Sequence, residues 1–129
     1  MKEVYLYFRT QGTLADDDAS GDSAMYPLSS LTGMVPSADD TLNLYFKPMI
    51  PVQADGQDGA VINNDKVVCT IGTNDHKDAI TALSRLFAGA ANGGIHHDGF
   101  IVVADDYAST YGVSEVTALS TITTAAVVA

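Results

Sequence analysis

Short apolar runs separated by turn residues make up most of the chain. The run Val4–Phe8 consists of β-branched and aromatic residues, which predicts a strand covered at least in part on both faces. Thr41–Lys47 alternates apolar and polar residues and therefore predicts a half-buried strand, which Pro48 ends because proline cannot donate to a ladder. Four further strands are predicted, at Ala60–Ile62, Lys66–Ile71, Phe100–Ala104 and Val116–Val128, with Asn63-Asn64-Asp65 as the turn between the first two.

One segment, Asp75–Ala91, has the period of a helix. Its apolar stripe is formed by Ile80, Leu83, Leu86 and Phe87. Thr73 or Asn74 is expected to cap the first turn, and Asn92-Gly93-Gly94 to end the helix. Strands on both sides of one helix predict the α+β class. We expect a single domain spanning residues 1–129: a small β-rich domain with a mostly antiparallel sheet and one amphipathic helix, about residues 75–91, packed on it.

The region between the first strand and Thr41 has two parts. Thr10–Ala24 is small and acidic, which predicts an exposed loop. Met25–Pro36 mixes large apolar residues with Pro, Ser and Gly, so we expect it to be ordered by packing without regular structure, apart from a short extended piece around Met25–Leu28. Its apolar residues either belong to the core of a sheet that is buried on both faces or form a subunit interface. The interface candidates, including two at the C-terminus, are Met25, Tyr26, Leu28, Leu31, Met34, Val35, Val127 and Val128.

Composition narrows the class of protein. A length of 129 residues suits one core, and 47% hydrophobic with 17% charged residues excludes general disorder. Sixteen acidic against six basic side chains give a net charge of −10, which argues against nucleic-acid binding and suits a protein that stays soluble until it docks. The lone cysteine excludes a disulfide framework, and no apolar run approaches the roughly 18 residues of a membrane span. Met1–Glu3 is expected to begin a strand rather than a signal peptide.

The acidic loop resembles part of a calcium loop. Asp16, Asp18, Ser20, Gly21 and Asp22 occupy the first, third, fifth, sixth and seventh places of an EF-hand spacing. The twelfth place is Pro27, which cannot be a ligand, so a complete EF-hand is excluded. A solvated acidic loop is favoured, and a calcium site of another type is the alternative. The candidate ligands are Asp16, Asp18, Ser20 and Asp22.

The remaining reactive side chains favour structural roles. His96, His97 and Asp98 are expected in an exposed loop, because adjacent histidines point in opposite directions and chelate one ion poorly. Cys69 lies in an apolar run and is expected to be a small buried hydrophobe. The pairs Asp39-Asp40 and Asp105-Asp106 are expected to be solvated ends of strands. We therefore predict no catalytic residue, no cofactor and no enzymatic activity.

Four segments together resemble a family of small proteins. They are YLYFRTQGTLADDDASGDSAMYPLSSLTGM, LNLYFKPM, VVCTIGTNDHKDAITALSRLF and GFIVVADD, in that order over most of the chain. In these segments the chain resembles small virion-associated proteins of marine tailed bacteriophages, of the cyanophage type.

The resemblance implies a non-enzymatic structural protein of the virion, assembled in the host cytoplasm. Its simplest form is a capsid decoration (cement) protein that stabilises the head. The implied partners are the major capsid protein or other virion proteins, together with other copies of the chain, and neither nucleic acid nor a membrane. Two alternatives stay open: an oligomeric ring, neck or tail component, and a small binding module.

Overall fold

A computed structural model describes residues 3–17, 21–48, 64–91 and 99–123. Within these residues the chain forms eight strands and one α-helix, in the order β1 (Tyr5–Arg9), β2 (Ser23–Pro27), β3 (Leu31–Ala38), β4 (Thr41–Phe46), β5 (Asp65–Ile71), α1 (His76–Ala91), β6 (Phe100–Asp105), β7 (Thr110–Tyr111) and β8 (Val116–Thr123). Single 3₁₀ turns lie at Leu14–Asp16 and Leu28–Ser30. The α+β class predicted from the sequence is confirmed. No helix among these residues has the length and apolar character needed to cross a membrane.

The strands divide between two four-stranded sheets, where the sequence pattern predicted one. Sheet 1 has the order β2-β1-β6-β7 and sheet 2 the order β3-β4-β5-β8. Every pairing is antiparallel except that of β1 with β6, which is parallel. The helix lies between β5 and β6 in the chain, so it carries the chain from sheet 2 to sheet 1.

The inner faces of the two sheets share one core. Alternate residues of β5 are buried, and their partners on β4 and β8 are buried beside them, as strand periodicity requires. Rings from both sheets meet at its centre: Tyr26 stacks on Phe46 with centroids 4.3 Å apart, and Phe8 meets the edge of Phe46 at 5.9 Å. The helix adds Ala79, Leu83 and Phe87 to the same cluster. Burying each large apolar side chain of this kind contributes about 2 kcal/mol.

The helix begins one residue later than predicted. The carbonyl of Asp75 accepts the N–H of Ala79 at 2.9 Å, so Asp75 occupies the N-cap position in place of Thr73 or Asn74. Asn74 adopts a left-handed conformation with φ 63°, which asparagine tolerates, and its N–H donates to the carbonyl of Asp39. His76 Nε2 lies 2.7 Å from the carbonyl oxygen of Ala38. The start of the helix is therefore fixed to the β3–β4 turn.

The extended piece predicted around Met25–Leu28 is largely confirmed by β2, but the expectation that the rest of Met25–Pro36 lacks regular structure is wrong. β2 and β3 occupy most of it, and the 3₁₀ turn Leu28–Ser30 carries the chain from sheet 1 to sheet 2. Pro36 is tolerated because β3 is an edge strand with register shifts, including one just after this proline. Pairing with β1 and β4 supplies a regularity that the local pattern does not indicate.

Other boundaries differ by less. β4 ends at Phe46 rather than Lys47, and Asp65, predicted as a turn residue, is the first residue of β5. The short strand β7 was not predicted. The predicted strand Ala60–Ile62 and residues 124–128 of the predicted last strand lie outside the described residues.

Candidate functional site

The outer face of sheet 1 carries a continuous group of large apolar side chains. We call it the aromatic face, and it is formed by Tyr5, Tyr7, Met25, Phe100 and Val102. Register places Tyr5 beside Phe100, and Tyr7 between Met25 and Val102. The rings of Tyr7 and Phe100 are 5.6 Å apart, whereas Tyr5, Met25 and Phe100 are exposed. Exposed apolar side chains grouped on one face of a sheet are typical of interaction surfaces.

An ion pair closes one end of the aromatic face, where the parallel strands β1 and β6 both end. Arg9 donates from Nε to Asp105 Oδ1 at 2.8 Å and from Nη2 to Asp105 Oδ2 at 2.6 Å. The same carboxylate accepts the backbone N–H groups of Tyr107 and Ala108. These hydrogen bonds, chiefly those from Arg9, hold the pKa of Asp105 below its usual value. The Arg9 guanidinium also lies 4.9 Å from the ring centroid of Tyr107.

A second carboxylate faces the same guanidinium. Asp17 Oδ2 lies 3.6 Å from Arg9 Nη1, and Asp17 Oδ1 is buried without a hydrogen-bond partner in the described part of the chain. Two carboxylates against one cation leave this end of the face with a net negative charge. The Asp105 carboxylate is ionised and occupied by four donors, so it is poorly suited to act as a general acid or base at neutral pH.

The outer face of sheet 2 is different. We call it the lysine face, and its outward residues include Val35, Asn43, Tyr45, Lys66 and Val68, with the exposed Lys47 directly after β4. Neither lysine forms an ion pair with a described residue. Asn43 is only 7% exposed; its Nδ2 donates to the Tyr45 hydroxyl at 3.2 Å, and its Oδ1 has no partner within the described ranges.

The interface candidates predicted from the sequence separate into three groups. Met25, 46% exposed, belongs to the aromatic face, and Val35, 49% exposed, belongs to the lysine face. Three candidates pack in part against the core, namely Leu28, Leu31 and Met34. Val127 and Val128 lie outside the described residues.

The prediction of Tyr26 as an interface residue is wrong, because Tyr26 is 1% exposed and belongs to the core. β2 pairs Tyr26 with the buried Leu6 and Met25 with Tyr7, so the two neighbours point to opposite faces of sheet 1. The Tyr26 hydroxyl donates to Asp65 Oδ2 at 2.9 Å, and Asp65 is itself 1% exposed. Burial and this hydrogen bond raise the pKa of Tyr26 above its usual value. The sequence does not indicate this pair, since Asp65 follows two asparagines and resembles a turn residue.

The predicted metal ligands are only partly described. Asp18 and Ser20 lie outside the described residues, and of Asp16 only the backbone is described. Asp22 Oδ1 accepts a hydrogen bond from Gln11 Nε2 at 2.9 Å. Across the described ranges, no three His, Cys, Asp or Glu side chains are grouped to hold a metal ion. A calcium site in this loop stays a prediction.

The histidine and cysteine candidates are placed as follows. His96, His97 and Asp98 lie outside the described residues, and the ring of His76 faces the carbonyls of Ala38 and Thr41. Cys69 is fully buried, as predicted, and burial raises the pKa of its thiol to about 12. The thiol is therefore protonated at neutral pH and inaccessible as a nucleophile.

The paired carboxylates also differ from expectation in one case. Asp105 and Asp106 are not solvated ends, because both side chains accept hydrogen bonds within the fold. Asp106 Oδ1 accepts the Tyr111 hydroxyl at 2.7 Å and the N–H of Leu119 at 3.1 Å, which links β7 of sheet 1 to β8 of sheet 2. Asp39 and Asp40 are exposed, as predicted, and their backbone carbonyls accept the N–H groups of Asn74 and Ile71.

Comparison of the chain with protein-family models, with curated proteins and with solved structures finds no match in any of the three.

Proposed function

We propose that the chain is a non-enzymatic structural protein of a tailed-phage virion, most simply a capsid decoration (cement) protein that stabilises the head. The resemblance of four segments to small virion-associated phage proteins supplies the class of particle. The observation that carries the proposal is the aromatic face, which leaves Tyr5, Met25 and Phe100 exposed on a rigid sheet.

The physical character of this face suits docking. Aromatic residues and methionine are enriched where proteins associate, and rings fixed by a sheet lose little conformational freedom when a partner covers them. Covering apolar surface contributes about 25 cal/mol per Å². The net charge of −10 keeps free copies soluble and repels the packaged DNA before and after docking.

A ring, neck or tail component is the second candidate. It is favoured because both outer faces expose apolar side chains, although the two faces differ in composition. A subunit with two such faces on opposite sides can contact two neighbours. A decoration protein needs one face for the shell, whereas a ring subunit needs both faces for its own copies.

Cryo-electron microscopy of purified particles of the phage that encodes the chain tests the location. We expect density for this domain at repeated positions on the outer surface of the head. Density at the neck or tail would support the second candidate. Particles that contain no copy of the chain by quantitative mass spectrometry would overturn both.

An add-back experiment tests the role of the aromatic face. Heads assembled without the chain are mixed with the purified wild-type protein, and DNA release is followed on heating. We expect the wild-type protein to raise the temperature of release and the double variant Tyr5→Ser/Met25→Ser to have no effect. Leu14→Ser is the matched control, because Leu14 is 58% exposed but lies in a 3₁₀ turn and not on a strand of sheet 1. A double variant that stabilises heads as well as the control does would contradict the proposed docking face.

A further inference from the structure

We propose that copies of the chain associate front to back, with the aromatic face of one copy packed on the lysine face of the next. The inference rests on the second candidate function, the ring, neck or tail component, because it names a second copy of the chain, and not the capsid shell, as the occupant of the aromatic face. It can nevertheless fail independently, since association of the purified protein does not require a head.

The end of the lysine face that carries Lys47 and Lys66 is opposite in charge to the groups that flank the aromatic face. Glu3 is exposed at the start of β1, and at the other end of the aromatic face Asp17 and Asp105 outnumber Arg9. The lysine face carries Lys66 within the sheet and Lys47 beside it, and no acidic residue occupies an outward position on the described strands of sheet 2. The exposed aspartates of the β3–β4 turn lie at the other end of this sheet. Packing two aromatic faces together would bring like charges into contact, whereas packing an aromatic face on a lysine face brings unlike charges together.

The apolar surfaces are also complementary in kind. The aromatic face presents large side chains, and the lysine face presents smaller ones beside Tyr45: Val35, Val68, Thr70, Ala118 and Thr121. A surface of small residues lets aromatic rings approach closely. Val35, 49% exposed, gives this second face its own unburied apolar group.

The size of each face makes a single contact weak. Sheet 1 is the smaller sheet and limits the contact, with three strands of five or six residues and the two-residue β7. At about 4.8 Å between strands and about 3.3 Å per residue, its face measures at most roughly 15 by 20 Å, or about 300 Å² in projection. Stable interfaces bury about 800 Å² on each partner. Association therefore depends on concentration, and it is strengthened when each copy is held on both faces.

The geometry determines which assemblies can form. The inner faces of the sheets share one core, so the two outer faces point in opposite directions. A contact between unlike faces leaves one face of each kind free at the ends of a dimer. Growth then continues until a ring closes, or gives an open stack.

Sedimentation velocity of the full chain, from micromolar to millimolar concentration, tests the inference. We expect species larger than a dimer that grow with concentration and shrink when the ionic strength is raised from about 0.05 to 0.5 M. Wild-type protein that stays monomeric throughout would overturn the inference, and the particle experiments above would still decide the proposed function.

Two variants distinguish front-to-back association from a symmetric dimer. Tyr5→Ser/Met25→Ser removes the aromatic face, Val35→Ser/Lys66→Glu removes the lysine face, and we expect each variant alone to be monomeric. A one-to-one mixture should form heterodimers and nothing larger, because it retains one intact face of each kind. A dimer of the lysine-face variant alone, or a mixture that does not associate, would overturn the inference.

Controls separate loss of association from loss of fold. Leu14→Ser should associate as the wild-type protein does, and circular dichroism should give every variant the wild-type spectrum. If either double variant fails to fold, Met25→Glu or Val35→Glu replaces it, since each changes one exposed side chain and reports the same result.

Discussion

Two nearly buried carboxylates, one in each sheet, are held in different ways. Asp65 begins β5 and is 1% exposed, and the hydroxyl of Tyr26 donates to it inside the core. Asp105 ends β6 and is 5% exposed, and it accepts two hydrogen bonds from Arg9 and two from backbone N–H groups. Asp65 of sheet 2 therefore accepts a hydrogen bond from a neutral hydroxyl of sheet 1. Asp105 of sheet 1 instead pairs with a cation, Arg9, on the neighbouring strand of the same sheet. The first contact joins the sheets, and the second joins strands within one sheet.

Tyr26→Phe should give the largest loss of stability. The substitution keeps the ring that stacks on Phe46 at 4.3 Å and removes only the hydroxyl that donates to Asp65. Taking one donor from a buried carboxylate costs about 1–3 kcal/mol. Urea unfolding at pH 7, followed by circular dichroism, measures the difference in the free energy of unfolding.

Tyr5→Phe is the matched control for Tyr26→Phe, because it removes a hydroxyl from an exposed ring on the same sheet. Equal stability of the two variants would contradict a supporting role for the Tyr26 hydroxyl. Alkaline pH gives a second readout. The raised pKa of Tyr26 means that its contribution is complete below about pH 10 and is lost as the pH rises further. Tyr26→Phe should therefore lose less stability than the wild-type protein above that pH.

Arg9→Met should have a smaller effect at neutral pH, because Asp105 keeps the N–H groups of Tyr107 and Ala108. The pKa of Asp105 is lowered in the fold, chiefly by hydrogen bonds from Arg9, so the contribution of this pair is present above about pH 4 and lost as the pH falls below it. The loss in free energy of unfolding caused by Arg9→Met should therefore be largest near pH 7 and should disappear in acid. Urea unfolding between pH 7 and pH 3 measures this dependence.

Arg9→Lys serves as the control for Arg9→Met. Lysine retains the positive charge but cannot donate two parallel hydrogen bonds to one carboxylate. We expect its deficit at pH 7 to lie between those of the wild-type protein and Arg9→Met. A deficit of Arg9→Met that stays constant from pH 7 to pH 3 would show that Arg9 acts through its packing on Tyr107 and not through Asp105.

Elements with a local sequence period could be predicted, whereas contacts between distant residues could not. β1, β4, β5, β6 and the helix have a local period, and their positions were predicted to within one residue. The bond between Tyr26 and Asp65 joins residues 39 positions apart, and no local pattern reports such a contact. Of the two strands between Ser23 and Ala38, only a short extended piece around Met25–Leu28 was predicted, because prolines interrupt their period and pairing with distant strands restores it.

The outer faces were predictable only in part. Met25 was identified as an interface candidate and Tyr26 was included with it, although neighbouring residues of a strand point to opposite faces. Once β2 is known to be a strand, alternation assigns Met25 to the aromatic face and Tyr26 to the core. Tyr5 and Phe100 were predicted to lie in strands and were not among the interface candidates, because their exposure depends on the position of sheet 1 at the surface.

Asn43→Val should give the smallest effect and the opposite sign. Asn43 is a third nearly buried polar group, and unlike Asp65 and Asp105 it has an oxygen without a partner in the described residues. Valine leaves no acceptor unsatisfied and suits a strand, and Tyr45 is exposed enough to replace its lost hydrogen bond with water. We expect the free energy of unfolding to rise by about 0.5–1 kcal/mol. Asn43→Asp, which puts a charge in the same place, should lower it. A lower free energy of unfolding in Asn43→Val would contradict this prediction. It would mean that the hydrogen bond from Asn43 Nδ2 to the Tyr45 hydroxyl stabilises the fold by more than the unsatisfied Asn43 Oδ1 destabilises it.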